Sequence, residues 1–285
     1  MTYHDESGYG VEFSYFNIFT QSATKTVGPT GPPNTADWLV MYAPGSFWQT
    51  QDFPYQGMAW KDATNLYSAE ANARLDLSPR VTVLGLRWLQ LNDELVGWLT
   101  PADRNSPDWK KYCYLNTLNN LPSCSPLYYP GGTAGIYPPF WQANTKNNLY
   151  GAQIGVDAKL LELGRFSIDG VIKAGVFDNN AEQTTVVSMA KQLYTAQATT
   201  NAAAFVGEAD LQVKYQLAKG LALKVGYEAL WLDGVALAPG QIRETYTTSP
   251  SPASPLTPVS ARALGVNCSS NVLFQGATVG LESSF

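Results

Sequence analysis

The chain has 285 residues, a net charge of −5 and a pI near 4.9, with 14% charged and 12% aromatic residues. That balance excludes a disordered chain and argues against nucleic acid as a partner. No apolar run approaches the ~18 residues of a transmembrane helix, and the length suits one large β domain or two ordinary ones.

Period-two alternation predicts eight strands in chain order. Residues 9–19 set Tyr9, Val11, Phe13 and Tyr15 against Gly10, Glu12 and Ser14. Residues 67–77 alternate Tyr67, Ala69, Ala71, Ala73 and Leu75 with Ser68, Glu70, Asn72, Arg74 and Asp76. A Ser78-Pro79 turn leads into 80–92, where Leu84, Leu86 and Trp88 oppose Gly85 and Arg87. Residues 148–160 set Tyr150, Ile154 and Val156 against Gln153, Asp157 and Lys159. Residues 165–176 set Phe166, Ile168 and Ile172 against Asp169 and Lys173. The tract 203–231 holds the sixth and seventh strands, broken only at Ala218-Lys219-Gly220. Here Phe205, Leu211, Val213, Tyr215, Val225, Tyr227 and Trp231 oppose Glu208, Asp210, Lys214, Lys224 and Glu228. The eighth strand, 272–285, sets Leu273, Val279, Leu281 and Phe285 against Thr278, Gly280 and Glu282.

The connections alternate in length. Tight turns at 78–79, 161–164 and 218–220 separate long loops expected at about 20–65, 95–146, 178–202 and 233–270. The last loop carries the Ser/Pro tract 249–255, which cannot continue a ladder. Residues 36–60, rich in Trp and Leu, read either as an extra hairpin or as a loop over the mouth.

Two barrels fit this alternation, with the apolar face pointing either out to lipid or in to a ligand. Most of the runs are at least as long as the 9–11 tilted residues that cross a bilayer, whereas ordinary strands average about 5–6. Short turns on one side and long loops on the other also suit an outer-membrane barrel. Phe205 and Tyr215 bracket one strand ten residues apart. That is roughly 33 Å along the strand and, tilted by about 40°, near the 25 Å between aromatic girdles. Tyr67, Tyr150 and Trp231 then join Phe205 in the outer girdle, and Phe166 and Phe285 join Tyr215 in the inner one. The terminal Phe285 also resembles the C-terminal signal read by the barrel-assembly machinery.

The opposite parity is expected to line the lumen. It carries Glu12, Glu70, Asp76, Asp157, Asp169, Glu208, Asp210, Glu228 and Glu282 with Arg74, Arg87, Lys159, Lys173, Lys214 and Lys224, beside Gln153. Mixed signs suit a cross-linked interior, because an unpaired buried charge is costly. On this reading Ile154→Asp blocks membrane assembly and Gln153→Asp is tolerated.

No catalytic or metal-ligating pattern stands out. His4 is the one histidine, so Ser-His and Cys-His mechanisms lack a base, and Asp103 has no histidine near it in sequence. No Cys/His spacing suggests a metal. The pair Glu208/Asp210 could do acid–base work, but paired lumen charges are the stronger reading. Of three cysteines, Cys113 and Cys124 share a loop and could close a disulfide in an oxidising compartment, or all three could stay free. Residues 1–7 have neither the basic nor the apolar segment of a leader, so an exported form is expected to have lost one or to be a fragment.

Four segments resemble the bacterial outer-membrane family of beta-barrel porin seven: 67–95 (YSAEANARLDLSPRVTVLGLRWLQLNDEL), 147–181 (NNLYGAQIGVDAKLLELGRFSIDGVIKAGVFDNNA), 225–241 (VGYEALWLDGVALAPGQ) and 272–285. The resemblance implies an outer-membrane location and a barrel fold, and it transfers no substrate or catalytic residue. The resulting expectation is a single all-β domain over 1–285, an antiparallel up-and-down transmembrane barrel of about eight strands, or more if N-terminal strands are missing. It is porin-like or a structural envelope component, not an enzyme and without cofactors. Its partners are outer-membrane lipid, the assembly machinery and small polar solutes. Eight strands leave an interior just filled by side chains, which favours a plugged or gated barrel over a wide porin. Two alternatives remain open. One is a soluble lipocalin-like barrel with Leu211, Val213, Val225 and Tyr227 turned inward on an apolar ligand. The other is an adhesion barrel working through the loop 109–141.

Overall fold

Each alternating run is too long and too regular in parity for a helix to sort its apolar residues onto one stripe, so it extends and pairs. The computed structural model describes residues 2–4, 8–27, 55–77, 80–101, 140–189, 192–241 and 265–283. The strands are β1 (Thr2–His4), β2 (Tyr9–Val27), β3 (Tyr55–Leu77), β4 (Arg80–Pro101), β5 (Phe140–Leu163), β6 (Phe166–Met189), β7 (Gln192–Ala218), β8 (Leu221–Val235) and β9 (Ser270–Ser283). They form one antiparallel sheet in sequence order, curled into a half-barrel of eight long strands with the three-residue β1 on one edge. Among the described residues, β9 pairs with β8 and has no partner on its other side.

The expected short hairpins form. Leu163 pairs with Phe166 across Gly164-Arg165, and Ala218 with Leu221 across Lys219-Gly220, with Gly164 at φ 62° and Gly220 at φ 80°. Leu77 pairs with Arg80 on either side of residues 78–79, which lie outside the described residues.

The strands run much further than the alternation indicated. β7 has 27 residues and β5 and β6 have 24 each, against the 9–11 that cross a bilayer. Residues 178–189 and 192–202, expected as a long loop, continue the β6–β7 ladder as far as Met189 opposite Gln192. The expected loops at 20–65 and 95–146 likewise shrink, because β2 runs to Val27, β3 starts at Tyr55, β4 ends at Pro101 and β5 starts at Phe140. The cause is chemical. Beyond the apolar band both faces meet polar surroundings, so alternation fades while Thr, Val and Tyr keep their preference for strand.

The two faces of the sheet differ sharply. On the convex face Leu86, Ile154, Ile172, Val176 and Val279 are all more than 60% exposed. On the concave face lies a buried apolar cluster including Leu66, Leu89, Leu91, Leu149, Phe177, Val206, Leu230 and Leu232. Leu211, Val213, Val225 and Tyr227 are 43–52% exposed on the convex face, which overturns the soluble reading that turned them inward. No helix among the described residues is long and apolar enough to cross a membrane.

Candidate functional site

The concave face is where side chains from distant strands meet. Arg87 on β4 places Nη1 2.6 Å from Glu208 Oε2 on β7 and 3.9 Å from Glu70 Oε2 on β3. Lys173 on β6 lies 2.7 Å from Glu70 Oε1 and 3.1 Å from Glu208 Oε1. Contacts between β4 and β7, three strands apart, require the sheet to curl toward this face. Two cations thus share two carboxylates, and all four side chains are at most 9% exposed. Arg87 also donates through Nε to Ser68 (2.9 Å) and packs over the Phe16 ring. Gln153 donates to Glu70 Oε2 (2.6 Å) and Asn72 Oδ1 (2.9 Å). A side chain at Gly85 would put its Cβ 1.9 Å from Asn72 Oδ1, so glycine there leaves room for this layer.

Two further clusters lie toward the short turns. Arg74 bonds Glu12 Oε2 (2.7 Å) and also reaches Asp157. Lys214 joins Asp169 (2.7 Å) to Glu282 (3.2 Å), and Lys224 completes that group on Glu282. Asp210 accepts from Gln212, while Glu228 stands on the same face near Glu208 and Asp210 without a bonded partner among the described residues. Lys159 keeps the inner parity, directly across from Asp169 near the short turn, and the register shift between Lys159 and Leu161 brings Glu162 to it at 3.0 Å, with both side chains more than half exposed.

The convex face carries the aromatic residues expected to form girdles that lie among the described residues. Phe205 and Trp231 pack edge-on at 5.5 Å toward one end of the apolar band, and Phe166 and Tyr215 at 4.6 Å toward the other. Tyr150 is exposed, and Tyr67 is partly covered. Trp88 stands directly across from Tyr150 and belongs to the same row. Its place beside Leu84 and Leu86 was the available signal for it.

Above the charged network the interior becomes apolar. The buried cluster on β3–β8, with Phe16, Ile18, Val272 and Phe274 against it, fills the concave side. After β8 the chain turns inward at Gly234 (φ 79°), where a Cβ would stand 2.5 Å from Ala203 O. The short 3-10 helix Ala238–Gln241 follows, and Ala236 and Ala238 are fully buried. This segment is clasped from the sheet. Asn147 donates Nδ2–H to Ala236 O (2.8 Å) and accepts from Ala236 N (2.7 Å). Asn179 donates to Gly234 O (3.1 Å), and Asp93 Oδ2 accepts from Ala238 N (2.7 Å). Sequence reading assigned Gly234 and the residues after it to a long loop and missed the clasp, because a lone Asn on a strand gives no signal of what it will hold.

Beyond the clasp, in the strand extensions, Asp93 also accepts from Thr64 Oγ1 (2.5 Å), and Trp60 and Trp141 pack at 6.0 Å. Burial, with the nearby Asp93 charge, holds the Asp62 carboxyl above its ordinary range. Burial likewise raises the Cys268 thiol, which is free. Cys113, Cys124, Asp103, Phe285, the loop residues 109–139, the Ser/Pro tract 249–255 and the side chains of His4 and Asp76 lie outside the described residues.

A family model described as "Putative beta barrel porin-7" matches residues 133–285, more than half of the chain. The match takes in β5–β9, and with them Lys173, Glu208, both clasp asparagines and the inward segment. Neither the curated proteins nor the solved structures yield a match.

Proposed function

The chain belongs to the beta barrel porin-7 family, and from that premise we propose that it is an outer-membrane barrel with a charged lumen closed by an inner plug. The observation that carries this reading is the layering of the concave face. The neutral quartet Arg87, Lys173, Glu70 and Glu208 is followed by the apolar layer and then by the segment held on Asn147 and Asp93. Cross-linked charges narrow the path, and an apolar layer dewets it. A lipid-facing Lys or Arg near the midplane costs about 2–4 kcal/mol, which supports placing the charged parity inside and the exposed Leu, Ile and Val in lipid. The barrel is therefore narrow and gated, passing small polar solutes only when the plug moves, and its work is passage or envelope structure rather than catalysis.

Planar-bilayer conductance of the refolded chain, after a heat-dependent gel shift confirms folding, tests this. The expected result is silence or rare small steps from the wild type, with frequent openings from Asn147→Ala combined with Asp93→Ala. Large steady conductance from the wild type would sink the plug.

A further inference from the structure

We infer that the outward face of the β3–β6 extensions, just above the aromatic row, binds a saccharide, presented there as the headgroup of a membrane glycolipid. The inference rests on the membrane-barrel reading for the height of the site, and on a cavity of about 400 Å3 for the site itself. That volume lies within the range of about 300–1,000 Å3 usual for small-molecule sites. Its lining includes Asn65, Asn92, Glu94, Asn144, Lys146 and Glu182, and with Thr20 it draws on five consecutive strands, β2–β6.

Parity and register place these residues. Asn65 shares the face of Tyr67, and Asn92 and Glu94 share that of Trp88. Asn144 and Lys146 share the face of Tyr150, and Glu182 that of Val176. Lys146 lies four residues beyond Tyr150, roughly 10 Å above the aromatic row once the strand tilt is included. A phospholipid's polar layer begins at that row and is only about 5–7 Å deep on each side of the bilayer, so a cavity at this height on the outward face meets the sugars of a glycolipid, which project beyond that layer, and not the lumen.

The chemistry of the lining points to hydroxyls. Asn65 Oδ1 is held by Asn92 Nδ2 (2.8 Å), and Glu94 Oε1 by Gln142 Nε2 (2.8 Å), so these groups are oriented before any ligand arrives. Lys146 and Glu182 stand directly opposite in register, yet neither they nor Asn144 make a hydrogen bond or ion pair among the described residues. An ammonium, two carboxylates and three amides together offer both donors and acceptors, which is what vicinal hydroxyls require. Glu94 and Glu182 outnumber Lys146, so a phosphate would meet net repulsion while a neutral sugar would not.

The test uses the full chain refolded in phosphatidylcholine vesicles containing lactosylceramide, a neutral disaccharide lipid, and checked for its heat-dependent gel shift. Native mass spectrometry of the solubilised protein then counts retained lactosylceramide. The expected result is roughly tenfold weaker retention by Asn144→Ala/Lys146→Ala than by the wild type, with phosphatidylglycerol retained equally by both. Equal lactosylceramide retention by a variant that still inserts would overturn the inference and leave the barrel reading standing. Failure of the wild type to insert would overturn both. Free lactose competing less well than lactosylceramide assigns the site to the membrane lipid, and equal competition assigns it to a soluble saccharide.

Discussion

Arg87 shows how much one residue can hold together on the concave face. Its guanidinium bonds Ser68 and Glu208 and stands near Glu70, while Phe16 covers the ring of contacts from β2. Removing one member of a buried ion cluster leaves the others uncompensated, so Arg87→Met is expected to cost about 3–5 kcal/mol. The midpoint of the heat-dependent gel shift measures this. Glu208→Gln combined with Arg87→Met should cost less than the two single changes added, because both break the same contact. Asp62 gives a pH signature of the opposite sign to a paired carboxylate. Its raised pKa means that ionisation opposes folding above that pKa, and that the penalty is relieved as pH falls toward the unfolded value near 3.9. Asp62→Asn should therefore stabilise the protein at neutral pH and lose that advantage below about pH 4. A pH-independent difference between variant and wild type would remove the argument.

At the scale of elements, the inward turn after β8 depends on Gly234. Its positive φ and the 2.5 Å approach to Ala203 O both exclude a β-branched residue. Gly234→Val is expected to release residues 236–241, seen as faster amide exchange there, while the β6–β7 ladder stays protected. The strands also revise one substitution. Gln153→Asp, tolerable by parity alone, would lose two donated hydrogen bonds and bring a carboxylate to Glu70, so it is a poor control. Thr278 on β9 shares the inner parity of Glu282 and is exposed, which makes Thr278→Asp the better one. Ile154→Asp, at a residue 64% exposed on the outer face, should abolish the heat-shifted form in membranes, and Thr278→Asp should keep it. Equal assembly of the two would contradict the lipid-facing assignment.

Across the whole molecule, one sheet has three environments stacked along its strands. An apolar outer band has aromatic pairs at each end, and the charged quartet lies behind it on the concave face. The extensions of β5, β6 and β7, each 24 or more residues in their full strand, carry polar groups on both faces. The extensions carry the cavity beside Lys146 on their outer face and the clasp on Asn147, Asn179 and Asp93 on their inner face, so the proposed rim site and the proposed plug share β4, β5 and β6.

Alternation in the sequence was enough to determine the all-β class, the up-and-down order, the two hairpins at Gly164 and Gly220, and which parity is apolar. A period of two is a property of the chain alone, and a one-residue slip would expose every wrong side chain at once. The polar reaches at 178–202 and 55–66 were illegible because a strand with polar groups on both faces has no contrast to read. The buried apolar layer of the concave face was illegible for another reason. Leu66, Leu91 and Leu232 lie on the parity of the charges, and only curling of the sheet brings them together with Phe177. The partners of Arg87 and Asn147, up to 121 and 89 residues away, were likewise decided by the tertiary structure, since curvature sets which strands face each other.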